Sequence, residues 1–216
     1  LKNNFIHLHL HSKYSLLDGM CKFDDMIESC RNYGMHSCAI TDHGYMYGVV
    51  EFYSTLSAAG IKPIIGLETY LVDDIREKSR EKNHLVLLVK NEAGYKNLLK
   101  IATFACTEGF YYKPTIDKKF LKDHAEGLIA MSACLQGEVP RAIINSDPDA
   151  AYNAAQEYLK TFGEGNFYLE MQNHGIEEEI IMNRGLRELS KKTSIPLVVT
   201  NDTHYMKMDD AKAQDI

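Results

Sequence analysis

The feature that most limits what this chain can become is a repeating alternation of short apolar runs with longer stretches of helical spacing. One run, Leu85-Val86-Leu87-Leu88-Val89, is unbroken and bounded by polar residues. A strand of that kind has no polar face to offer water, so it reads as buried on both sides, as in a parallel sheet. Six further segments read as strands: 5–10, 37–41, 63–72, 127–132, 166–171 and 195–200. Helical patterns fill the intervals. Over 23–33, Met26, Ile27 and Cys30 recur at helical spacing, and Gly34 supplies the stop. Helices are also expected over 47–59, closing at Gly60, over 95–105, over 150–162, and over Glu177–Thr193, just before Ser194-Ile195-Pro196. Repeated βαβ units predict an α/β fold whose sheet is open or closed into a barrel, with one domain over residues 1–216. A barrel one strand short of the usual eight fits this count. The charged stretch 76–82 reads as an exposed hairpin or loop.

Composition excludes several classes. The chain has 216 residues, 45% hydrophobic and 25% charged, enough for one substantial core. No apolar run approaches the ~20 residues a membrane span requires, and no membrane association is expected. The opening Leu1-Lys2-Asn3-Asn4-Phe5 lacks a basic segment followed by an apolar one, so no signal peptide is expected. Five cysteines (Cys21, Cys30, Cys38, Cys106, Cys134) form no regular spacing. That argues against a disulfide framework and for a reducing, cytoplasmic setting. The formal net charge of −6 has the wrong sign for gripping nucleic acid unaided. Bound divalent cations would offset that charge locally, so a phosphate-bearing substrate stays open.

The histidines and acids gather near the expected strand ends. Phe5-Ile6-His7-Leu8-His9-Leu10-His11 alternates, so His7, His9 and His11 would share one face and Ile6, Leu8 and Leu10 the other. Imidazole is a common ligand for zinc, iron and manganese, and alternation brings rings to one ion. The second strand ends in Thr41-Asp42-His43, the third carries Glu68, the fifth ends at Cys134, and the last runs into Asp202-Thr203-His204. His84 precedes its strand and fits the pattern less well. Singly, each has an ordinary reading: Asp42 or Asp202 as a helix N-cap, Cys134 as a small buried hydrophobe. Together, on six strands, they point to a site at the C-terminal ends of the strands, where parallel α/β folds place theirs. Mixed imidazole and carboxylate with at most one thiolate suits zinc, manganese or iron. The ligands are too many for one tetrahedral ion, so two or three divalent ions are expected, an arrangement suited to activating water against a phosphoester.

At this point the sequence resembles a known family. His9-x-His11, Asp18 in Ser15-Leu16-Leu17-Asp18-Gly19, Thr41-Asp42-His43, Glu68, His84, Cys134 and Asp202-x-His204 are similar to the motifs of PHP (polymerase and histidinol phosphatase) domains. The longer wording, in Gly60-Ile61-Lys62-Pro63, Glu108-Gly109-Phe110-Tyr111-Tyr112-Lys113-Pro114 and Ser132-Ala133-Cys134-Leu135, resembles the PHP domains of bacterial DNA polymerase III α subunits, from Phe5 to Ile216. The resemblance implies a distorted (β/α)7 barrel with three ions. His9, His11, Glu68 and Asp202 would hold the first, and Glu68 would bridge to a second held with His84 and Cys134. Asp18, His43 and His204 would hold the third. Asp42 and His174 are candidates to support that set or orient substrate, and His7 is a candidate packed residue.

The activity implied is a 3′–5′ exonuclease on the primer end of DNA, as a proofreader, within a longer polymerase whose palm, fingers and thumb lie outside this sequence. A free-standing phosphatase for small monoesters would use the same core. A catalytically silent domain docking the polymerase body and a separate proofreading exonuclease subunit would keep the same ligands for structure.

Overall fold

The apolar runs become the strands of one curled, mixed sheet. The computed structural model describes residues 5–214. Its strands are β1 (Ser37–Ile40), β2 (Lys62–Val72), β3 (Asn83–Val89), β4 (Thr115–Asp117), β5 (Leu128–Met131), β6 (Phe167–Met171) and β7 (Leu197–Val199). They lie in the order β1-β2-β3-β5-β6-β7, with β4 beside β2 off that path. Pairs β1–β2, β5–β6 and β6–β7 are parallel, but β3 runs antiparallel to both β2 and β5. The expected burial of β3 on both faces holds, while the parallel direction inferred from it does not. Leu85 and Leu87 pack under the helices and Val86 and Leu88 fill the barrel interior. Enclosure on two sides, not direction, is what an unbroken apolar run records.

The expected first strand is replaced by an extended segment that bends at Leu8 and His9. It still bonds on both sides. Ala39 N donates to His7 O (2.8 Å) and Thr41 N to Leu10 O (2.9 Å), while His11 N donates to Thr203 O (2.8 Å) and Thr203 N to His9 O (3.2 Å). Residues 7–11 thereby join β1 to the chain following β7 and complete a distorted α/β barrel. The bend also breaks the side-chain alternation: Leu8 joins the barrel interior, whereas Leu10 packs with the helices outside β1.

Helices α1 (Phe23–Asn32), α2 (Val49–Ala58), α3 (Glu92–Thr107), α4 (Lys118–Asp123), α5 (Glu138–Ile144), α6 (Pro148–Phe162), α7 (Glu177–Thr193) and α8 (Ala211–Gln214) clothe the sheet. In α7 three glutamates in the first turn and two lysines in the last complement the helix dipole. Leu98 and Ile101 of α3, Tyr158 of α6 and Met182 and Leu186 of α7 pack on Leu67, Leu71, Leu85 and Leu87. Phe23 and Met26 of α1 and Phe52 and Leu56 of α2 pack on Cys38 and Ile40. The stretch 76–82 lies, as expected, in the connection of a hairpin, between the antiparallel strands β2 and β3; it holds a 3₁₀ turn (Ile75–Glu77) and is largely exposed, except that Lys82 at its end is buried. No helix among the described residues is long and apolar enough to cross a membrane. The residues read for a signal peptide, Leu1 to Asn4, lie outside the described residues.

Candidate metal centre

Glu68, on β2, is only 1% exposed, a placement that costs a carboxylate heavily unless positive groups or a cation face it. Four histidines surround it. His43 Nδ1 lies 2.7 Å from Oε2 and His84 Nδ1 2.9 Å from Oε1, while Nε2 of His9 and of His11 are each 3.4 Å away. Asp202 Oδ1 stands 3.1 Å from Nε2 of both His9 and His11. Asp18 Oδ2 is 2.8 Å from His43 Nε2 and 3.5 Å from His204 Nε2. Cys134 Sγ lies 3.6 Å from His84 Nδ1 and 3.9 Å from Glu68 Oε1. The nine expected ligands thus form one continuous cluster.

Each arrives by a different local device. His9 and His11 come from the segment that closes the barrel, and Asp18 from the turn after it. His43 follows β1 and is held by Gly44, whose N donates to Glu68 O (2.9 Å). Gly44 has φ +65°, and a Cβ there would stand 2.4 Å from Pro114, so only glycine fits. Ala133 (φ +63°), just before Cys134, and Asp202 (φ +43°) hold left-handed backbone without glycine. Such strain costs about 1–3 kcal/mol per residue and collects at functional sites. The position of His84 follows from β3 running backwards: its N-terminal end shares the rim with the C-terminal ends of the parallel strands.

Seven buried side-chain polar atoms among the described residues lack a hydrogen-bond partner, and five are here: His9 Nε2, His11 Nε2, His43 Nδ1, Glu68 Oε2 and Asp202 Oδ1. They lie 2.7–3.4 Å from one another without being aligned for hydrogen bonds, as atoms prepared for a shared cation would. Ligands about 2.0–2.2 Å from one ion stand about 2.8–3.6 Å from each other in octahedral or tetrahedral array, a range that holds most of the separations above. Three sets have ligand atoms mutually within 4.8 Å: His9, His11 and Asp202; His43, Glu68 and His84; His11, His43 and His204. By spacing, His43 approaches Glu68 and His84 as well as Asp18. The residues present fit divalent cations in number, chemistry and spacing.

The PHP domain family model matches residues 7–174. The chain belongs to the PHP domain family. It is similar to DNA polymerase III subunit alpha of Borreliella burgdorferi, with 46% identity covering 100% of this chain and 19% of that protein. It is likewise similar to the Thermus aquaticus subunit, with 42% identity covering 100% of this chain and 18% of that protein. The chain therefore spans about a fifth of the length of these curated relatives. Among solved structures, an amidohydrolase from Chromobacterium violaceum superimposes with a TM-score of 0.55 at 14% identity, covering 92% of this chain and 87% of that one. That likeness is one of fold.

Charge in this PHP centre is set by mutual pairing. Burial works against a charge on His9, but Asp202, Glu170 and Glu68 outweigh it and hold the pKa well above the ordinary histidine value. At His43 burial is outweighed by Asp18 and Glu68, and the pKa rises to about 9. Burial prevails at His11, lowering it to about 4. Burial would raise Glu68 and Asp202, yet His84 and His9 hold Glu68 well down, and His9 and His11 hold Asp202 at about 2. Burial and Glu68 push the Cys134 thiol well up, so it is neutral until a cation adjoins it.

Sequence reasoning missed Glu170 on β6. It is 0% exposed, with Oε1 2.7 Å from His9 Nδ1; it also accepts from Gln172 Nε2 (3.0 Å) and from the Thr200 hydroxyl. The signal was present: a lone carboxylate in Phe167-Tyr168-Leu169-Glu170-Met171 is the pattern that singled out Glu68. Asp42 accepts from Ser12 N, Ser12 Oγ and Ser15 Oγ, each at 2.7 Å, and Ser15 Oγ lies 3.1 Å from His11 Nδ1. His174 sits outside the cluster, with Nδ1 2.6 Å from Glu179 Oε1 and Nε2 2.6 Å from Asn201 O. His7 is not among the converging histidines. It packs edge-on to Phe5 at 5.0 Å and lies 3.3 Å from Thr203 Oγ1, because the bend at Leu8 and His9 turns it aside.

Proposed function

We propose that this PHP domain is a metal-dependent phosphoesterase that removes nucleotides from a DNA 3′ end, and that residues 1–216 are the PHP portion of a longer replicative polymerase α subunit. Its curated relatives, each about five times as long as the match, support the second part. Polymerisation itself would belong to the other domains of such a subunit. The observation that carries the first part is the set of five buried donor and acceptor atoms that face one another without hydrogen bonding.

In this reading His9, His11, Glu68 and Asp202 hold one divalent ion. Glu68 would also serve a second ion with His84 and Cys134, and Asp18, His43 and His204 would hold a third, the metal being zinc, manganese or iron. When bound, such ions supply Lewis acidity toward a phosphoryl oxygen and toward water. The chain's own residues prepare the donors. Glu170 accepts the Nδ1 proton of His9, which leaves its Nε2 lone pair directed inward. Ser15, fixed by Asp42, orients His11 in the same way. Asp18, with a side chain 43% exposed, stands where a strand end can enter.

The test measures metal content and digestion of 3′-mismatched DNA on one preparation, with Asp202→Ala alongside and a small phosphomonoester as second substrate. About two to three ions per chain, nucleotide release, and loss of both in the variant are expected. Bound metal without cleavage would move the domain to a docking role, preferential release from the monoester would make it a phosphatase, and a chain that takes up no metal overturns the reading.

A further inference from the structure

Next to the metal centre lies a cavity of about 450 Å³ with opposite chemistry. It shares His84 and Tyr70 with the centre and is otherwise lined chiefly by Arg80, Lys82, Lys113 and Arg141. Tyr70 forms the partition, its ring stacked on His43 (6.0 Å) and edge-on to His84 (5.1 Å). The four cations come from three places: the loop before β3, the turn before β4, and α5. Aromatic rings and short contacts hold them there. Lys113 Nζ lies 4.4 Å over Tyr70 and 3.3 Å from its hydroxyl, Arg80 packs over Tyr112, and Arg141 reaches Asn83 Oδ1 at 3.3 Å.

The usual reading of clustered lysines and arginines is a solvated face. Two observations oppose it. Lys82 is only 8% exposed, and its ammonium donates to a neutral carbonyl, Ser79 O, at 2.8 Å. Of the residues lining the cavity the one carboxylate is Glu81, which is 84% exposed and pairs with Arg141, so four lining cations face one lining anion in a chain whose net charge is −6. Like charges gathered beside a low-dielectric wall repel unless an anion sits among them, and ammonium and guanidinium groups are suited to phosphate oxygens.

We infer that this cavity holds a second phosphate of the substrate strand, adjacent to the phosphate presented to the metal centre, so that the site is built for a polynucleotide and not for a small monoester. The inference rests on the phosphoesterase reading and deepens it. Arg80, Lys82 and Lys113 act as positioning residues.

The experiment compares two 5′-labelled oligothymidylates by fluorescence anisotropy. One is natural, and the other carries a neutral methylphosphonate at the linkage next to the 3′-terminal one. Each is titrated with the chain and with the double variant Arg80→Gln, Lys113→Gln, whose altered side chains are both exposed. Thermal melting verifies that the variant is folded. The neutral linkage should weaken binding to the chain about tenfold, and should reduce the slope of log K against log salt by about 0.7. The variant should bind both strands alike. Equal binding of both strands by the chain, or undiminished discrimination by the variant, would overturn the inference. So would displacement by an equal concentration of inorganic phosphate, which would mark a free-phosphate site instead. Because the readout is binding, a chain that discriminates without cleaving leaves this inference standing and removes the exonuclease reading.

Discussion

The two ends of the barrel are lined by the same strands with opposite chemistry. At one end β2 presents Glu68, β6 presents Glu170, and His84 opens β3. At the other end Ile64 of β2, Leu88 of β3, Met131 of β5, Tyr168 of β6 and Val198 of β7 surround an apolar cavity of about 610 Å³. Because strand side chains alternate, Tyr168 and Glu170 face the same interior only two residues apart. The base is where burial stabilises the fold. The rim holds buried acids and strained backbone that are unfavourable for folding and make sense only as preparation for a ligand. If that division is real, substitutions at the two ends should have separable effects.

The largest effect of this kind belongs to the base. Met131 is 1% exposed within the interior cluster formed with Ala39, Val86, Leu88 and Ala133. Met131→Ala removes buried side-chain volume and should lower unfolding free energy by about 2–5 kcal/mol. Denaturant titration measures that loss, and metal bound per folded chain should stay the same. Metal lost in step with stability would show that the two ends are one coupled unit.

At the rim the complementary change is Glu170→Gln. It keeps the shape and removes the charge that fixes His9, and supporting groups of this type are worth about 10–100-fold in metal affinity. Competition with a chelator should show a loss of that size, with a smaller change in denaturation midpoint than Met131→Ala produces. Unchanged affinity would demote Glu170 to a packing role and leave His9 to be oriented by its own backbone.

The same contrast explains what the sequence displayed. The base and the helices are repetitive, and repetition is legible: α7 has the expected bounds, Glu177–Thr193, and the apolar runs all lie in or beside strands. Elements without room for a period were not. β4 has three residues, and α4 and α5 have six and seven, so none completes enough turns or alternations to register. The direction of β3 was hidden because an apolar run is the same read either way, which is why His84 looked misplaced while standing on the correct rim. His7 was grouped with His9 and His11 on an alternation that the bend at Leu8 and His9 cancels. Residue type marked the candidate ligands, but which ring meets which carboxylate depends on contacts between residues as distant as His9 and Glu170.

The smallest expected effect lies just beyond the rim, at His174, and it carries a pH signature. Burial opposes its charge, but the Asn201 carbonyl and the Glu179 carboxylate outweigh it and raise its pKa above 6.5. A histidine whose folded pKa exceeds its unfolded value stabilises the fold most below the unfolded pKa, and loses that contribution as pH rises through the folded value. His174→Gln should therefore cost most at about pH 6 and least at about pH 9, with the metal supply held constant. The side chain is 38% exposed, so water screens the pair. The difference should stay below about 1 kcal/mol, or under about 4 °C in Tm for a chain of this size. Thermal melts across that range decide it. A difference that grows with pH would mean that His174 is neutral in the folded chain and braces the Asn201 carbonyl, next to Asp202, through its Nε2–H alone.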